Sequence, residues 1–143
     1  KETLAKMSFG TSPSHLSAMS VHEFLWHHCD EHIENVRVSL RAKRDAMLAA
    51  LGEHFPEGCT WSAPAGGMMI WVQLPHGAAT WSVLGAALAA DVKFNPGPQF
   101  RAHRDRPNYL RLTYSYNTPE EIIEGVAILA GVFRREGLFH DSE

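Results

Sequence analysis

Asn108-Tyr-Leu-Arg-Leu-Thr-Tyr-Ser115, followed almost at once by Thr118-Pro-Glu-Glu121, is the stretch that decides the fold. Its first part alternates. A β-strand turns successive side chains to opposite faces, so Leu110, Leu112 and Tyr114 share one face while Arg111, Thr113 and Ser115 share the other. One side is apolar and asks to be buried; the other carries a permanent cation. The second part is a helix start. Thr118 caps it, Glu121 stands three residues after the cap, and Pro119 takes the first helical position, where no N–H donor is needed. Apolar residues then recur at Ile122, Val126, Leu129 and Phe133, and Arg134, Arg135 and Gly137 close the helix. Taken on these residues alone, Arg111 is a surface arginine on the wet side of a strand.

Upstream, helix and strand signals take turns. Ile33, Val36, Leu40, Met47 and Leu51 fall on one face of a long helix, with Arg37, Arg41, Lys43 and Arg44 mostly off the stripe; Gly52 and Pro56 end it. A separate helix is expected over Leu16–Trp26, after a turn at Gly10-Thr-Ser-Pro-Ser14. Cys59–Ser62 and Met68–Leu74 read as strands, the second bracketed by Gly66-Gly67 and Pro75. Trp81–Ala90 reads as a helix with Thr80 as its N-cap. Lys93-Phe94 reads as a brief strand before the Asn95-Pro-Gly-Pro98 turn, and Arg101–Pro107 as a polar loop. The order helix, strand, strand, helix, strand, strand, helix predicts an α+β fold. It is a small, mostly antiparallel sheet with helices packed on one side, entered by a long helix from a neighbouring domain.

The 143 residues, 45% hydrophobic and 20% charged, have ordinary globular composition and suit one domain. A net charge of −3 leaves no basic footprint for nucleic acid or an anionic membrane. Cys29 and Cys59 make no disulfide framework, so reduced thiols in a cytoplasmic protein are expected. No apolar run approaches the roughly 20 residues that span a bilayer, and no signal peptide is visible. A chain opening on Lys1 is expected to be a fragment, a processed chain or the product of a cloning boundary.

Other chemistry-bearing residues give weaker signals. His27-His-Cys-Asp-Glu-His32 puts His28 and His32 on one helix face, but no second ligand pair follows, so the reading is incidental histidines and no metal site. Cys59 has no nucleophile motif around it. Trp61, Trp71 and Trp81 are expected in the core rather than along a ligand groove. Arg101, His103, Arg104 and Arg106 read as a solvated basic loop.

Pro64-Ala-Gly-Gly-Met-Met-Ile-Trp71, Val92-Lys-Phe-Asn-Pro-Gly97 and the Arg111 strand, in this order, resemble the C-terminal domain of fold-type I pyridoxal-phosphate aminotransferases. The group concerned includes the aminoadipate and kynurenine transaminases, and the likeness runs over nearly the whole chain. Pro64–Trp71 is similar to the family's Pro-x-Gly-Gly-x-Phe-x-Trp strand, with Met69 replacing the aromatic. Asn95-Pro-Gly-Pro-Gln-Phe100 is similar to its Pro-Gly-x-x-Phe loop near bound substrate, and Gly10–His15 to a stretch near its dimer contact, with His15 where glutamine is common. The resemblance implies that Arg111 grips the substrate α-carboxylate, with Asn95 and Gly67 also at the substrate. A guanidinium suits that task because its planar fork of donors fixes a carboxylate's orientation as well as its charge.

The family's cofactor lysine, in its Ser-x-Ser-Lys-x-x-x-Pro-Gly setting, has no counterpart among Lys1, Lys6, Lys43 and Lys93. The resemblance therefore implies a chain with no catalytic or cofactor-binding residue of its own, inactive in isolation. Residues 1–31 would end a large pyridoxal-phosphate domain, and 32–143 would form the small domain. The complete protein would be a homodimeric transaminase exchanging an amino group between an α-amino acid and a 2-oxo acid, with no nucleic acid or membrane partner. Two alternatives stay open. Aminotransferase-like effector modules occur in bacterial transcription regulators, and a free-standing, non-catalytic module could borrow the fold.

Overall fold

The computed structural model describes residues 14–103 and 107–139. Lys1, Lys6 and the expected turn over residues 10–14, save its last residue, lie outside them. The chain divides into two compact units, Lys1–Arg37 and Val38–Glu143.

Helix α1 runs unbroken over His15–His54. The sequence pattern splits this stretch in two, and the structure corrects it. His27-His-Cys-Asp-Glu-His32 holds neither glycine nor proline, so a polar interval does not interrupt the backbone ladder. The apolar stripe is buried in the second unit only, at Met47 and Leu51; Leu16, Met19, Phe24, Leu25, Ile33 and Val36 are exposed. Arg134 donates to the His54 carbonyl at 2.6 Å, satisfying a group that the helix end leaves open.

Four strands follow in the second unit: β1 (Thr60–Trp61), β2 (Met69–Gln73), β3 (Asn95–Pro96) and β4 (Tyr109–Thr113). They form one antiparallel sheet in the order β1-β2-β4-β3. β4 is thus central, with Trp71 of β2 and Asn95 of β3 both in register with Arg111. Two helices complete the unit, α2 (Leu84–Ala89) and α3 (Pro119–Arg135), and the fold is α+β as the pattern predicts.

The alternation in β4 is realised. Leu110, Leu112 and Tyr114 are buried with Ile70 and Val72 of β2, against Met47 and Leu51 of α1 and Ile122, Val126, Leu129 and Phe133 of α3. Phe133 meets Phe55, Phe94 and Phe139 edge-on. The Thr118 capping box forms in both directions, at 3.3 Å and 2.8 Å.

Two local expectations fail for tertiary reasons. The strand expected at Lys93-Phe94 begins at Asn95 instead, because Phe94 is drawn into the core and the backbone meets β4 one residue later. Thr80 does not cap α2, which starts at Leu84. Its buried hydroxyl lies 3.0 Å and 2.9 Å from the Pro107 and Tyr109 carbonyl oxygens, and its N–H donates to Pro107, tying this loop to the start of β4.

Candidate functional site

With its even-numbered positions in the core, β4 turns Tyr109, Arg111 and Thr113 toward the opposite face of the sheet. Arg111 is half-buried there. Its Cζ sits 4.0 Å from the centre of the Phe100 ring, and Phe100 meets Trp71 edge-on at 5.4 Å. The Nε of Arg111 is buried without a hydrogen-bond partner. Among the described residues no carboxylate pairs with this guanidinium.

Phe100 ends a single 3-10 turn, Gly97–Phe100, that follows β3 directly. Gly97 presses on β4: a Cβ there would lie 2.6 Å from Tyr109 Cβ and 2.7 Å from its carbonyl oxygen. Trp71, Gly97, Phe100, Arg101 and Tyr109 line a cavity of about 260 Å³ beside the stack. Tyr109 is held at its rim by a 2.6 Å hydrogen bond from its hydroxyl to the Gln73 side chain.

The three residues expected at the substrate fall in two places. Asn95 stands across the strand pair from Arg111. Gly67 lies beyond the Met69–Thr113 end of the β2–β4 pairing, where its carbonyl accepts from the Tyr114 hydroxyl at 2.8 Å. Within this chain a Cβ at Gly66 or Gly67 would meet nothing within 4 Å, and Gly67 takes a positive φ of 88°, which favours glycine. Burial raises the Tyr114 pKa, opposed by Arg44, which keeps the hydroxyl a donor to Gly67.

Trp71 and Trp81 are exposed, against the expectation of a core role, while Trp61 packs half-buried against the core. Trp71 and Phe100 close the two family-like motifs, Pro64–Trp71 and Asn95–Phe100, but the sequence pattern does not reveal that Phe100 stacks on Arg111 or that Trp71 backs it. Elsewhere, His28 and His32 both lie against Phe24, and no group of three or more metal-ligand side chains forms among the described residues. Burial pushes the Cys59 thiol up to about 11, so it is a poor nucleophile. No described helix is long and apolar enough to cross a membrane.

The domain as a whole has known relatives. No family model matches the chain. It is 42% identical over 107 residues to aromatic-amino-acid aminotransferase 1 of Thermococcus litoralis, covering 75% of this chain and 26% of that one. The solved LysN α-aminoadipate aminotransferase of Thermus thermophilus, complexed with N-(5'-phosphopyridoxyl)-L-leucine, superposes with a TM-score of 0.77 at 38% identity, covering 82% of this chain and 30% of that one. The chain belongs with the C-terminal domains of fold-type I aminotransferases. Aminotransferase-like regulators share this domain: the chain is 30% identical over 99 residues to the uncharacterised HTH-type transcriptional regulator YdfD of Bacillus subtilis, covering 69% of this chain and 20% of the regulator. The chain spans about a quarter of the length of the curated aminotransferases it matches.

Proposed function

We propose that this aminotransferase domain supplies the carboxylate clamp of a pyridoxal-phosphate-dependent transaminase that exchanges an amino group between an α-amino acid and a 2-oxo acid. The observation that carries this reading is Arg111: a guanidinium over an aromatic ring, on the open face of a central strand, with no carboxylate partner among the described residues. Such a fork accepts a carboxylate end-on and fixes the amino acid's direction. Asn95, in register with Arg111, is read as donating to the same ligand, and Gly67 as edging the site.

Pyridoxal phosphate would supply the amino-group chemistry, but the described residues do not fit it. Lys43 is spent on the Ser115 and Tyr116 carbonyls at 3.0 Å and 3.4 Å, and Lys93 is an exposed loop residue. The cofactor is therefore assigned to a large domain ending near residue 31, with 32–143 as the small domain, in a cytoplasmic homodimer whose mass light scattering would check.

The test is Arg111→Ala and Arg111→Lys in the complete gene product. Losing one partner of a desolvated charge pair costs several kcal/mol, so kcat/KM for the amino acid should fall about a hundredfold or more. Unchanged turnover would sink the assignment.

A second reading is favoured by the regulators: another from Bacillus subtilis is 32% identical over 131 residues, 91% of this chain. There Arg111 would hold the same carboxylate as a sensed ligand, without turnover. Retention of operator DNA by the complete gene product, with no amino-group transfer, would decide for it.

A further inference from the structure

We infer that Phe100 is a positioning residue for Arg111: the Pro96–Phe100 segment clamps an aromatic ring onto the guanidinium and so presets the plane of the carboxylate fork. This role rests on the carboxylate reading of Arg111 given above.

Several observations converge on it. A separation of 4.0 Å puts ring and guanidinium in direct contact, where the negative face of the ring attracts the cation. Trp71, the cross-strand neighbour of Arg111, backs the same ring edge-on, so Phe100 cannot swing toward β2 without displacing it. The turn beneath is fixed as well. Only a residue without Cβ can lie where Gly97 lies against Tyr109, and the prolines at 96 and 98 fix φ on both sides of it. This brings Phe100 down over Arg111, two residues along β4 from Tyr109. Finally, Nε is the one buried, unpartnered side-chain atom among the described residues. Burying a donor without an acceptor is unfavourable, so packing holds the Nε end of the guanidinium in place. With Nε shut in, a ligand meets the two terminal nitrogens, the end-on fork.

Phe100→Leu keeps apolar cover but removes the ring; Phe100→Tyr keeps the ring. In the complete protein, dissociation constants would be measured by calorimetry for propionate, which has only the carboxylate, and for propylamine, which lacks it. Phe100→Leu should weaken propionate about two- to thirtyfold, the range from an exposed to a desolvated cation–π contact, leave propylamine unchanged, and raise KM more than it lowers kcat. Phe100→Tyr should restore wild-type propionate binding. Propionate affinity unchanged in Phe100→Leu, or lost equally in Phe100→Tyr, overturns the positioning role, provided Arg111→Lys weakens propionate. If Arg111→Lys also leaves propionate unaffected, the carboxylate reading itself is what fails.

Discussion

Gly97→Ala is the sharpest structural perturbation available, because it should disturb the site from behind. The new methyl would sit 2.6 Å from Tyr109 Cβ, 2.7 Å from the Tyr109 carbonyl oxygen and 3.0 Å from its carbonyl carbon. Two of those atoms are backbone in a central strand bonded on both sides, so they cannot yield. The turn must retreat by about 1 Å to regain ordinary carbon–carbon contact. Overpacking of this kind costs about 1–3 kcal/mol. For a chain of this size that lowers Tm by roughly 3–10 °C. Because Phe100 ends the same turn, the retreat also lifts the ring off Arg111, so carboxylate affinity should fall along with stability. Thermal unfolding of the chain followed by tryptophan fluorescence gives the first number, and propionate calorimetry on the complete protein gives the second. Gly125→Ala and Gly131→Ala are the controls. A Cβ meets nothing within 4 Å at either position in α3, and each should stabilise by about 0.5–1 kcal/mol. A Gly97→Ala protein as stable and as tight-binding as wild type would refute the close-approach account of the turn.

Three further outcomes are expected. Thr118→Ala removes the side-chain half of the capping box and should cost about 1 kcal/mol, read as a lower urea midpoint with unchanged slope. Asp91 adopts φ 57° just past α2, where its N–H and that of Val92 close the helix onto Leu88 and Ala87; Asp91→Gly should therefore stabilise by about 0.5–1 kcal/mol in the same assay. Cys59 keeps its proton in the folded state above the ordinary thiol value of 9.0, up to about 11. Its contribution to stability is thus complete below 9.0 and is lost as pH rises toward 11, and iodoacetamide labelling of the native thiol should stay slow until that upper range.

Local signals proved legible and long-range ones did not. The β4 alternation and the Thr118 capping box depend on neighbours a few residues apart, and both form as read. Arg111 could be put on the open face because a strand's period leaves no other choice once Leu110 and Leu112 are buried. Thr80 misled because a threonine before an apolar run looks like a cap; its partners, 27 and 29 residues away, outbid the helix end. Trp71 misled because its size suggests the core, whereas the register with Arg111 places it on the open face. The Phe100 contact depends on the β4-β3 pairing and on the turn lying against Tyr109, and neither leaves a periodic trace in the chain.

The placement of Arg111 on a central strand constrains how the site can respond to a ligand. Ladder bonds to β2 and β3 on either side, and buried leucines before and after it, hold its backbone in a close-packed layer. The guanidinium is also held at its far end by Phe100, which Trp71 backs. A side chain pinned at both ends has few rotamers to lose on binding, so little ordering entropy is spent when a carboxylate arrives. It also cannot reach outward for a poorly placed ligand. Adjustment to ligands of different length must therefore come from elsewhere, by movement of the sheet as a body or by residues around the ligand's far end. On the proposed reading of Arg111, that division suits a clamp for the carboxylate that all α-amino acids share, and it would leave selectivity among them to parts of the site that Arg111 does not touch.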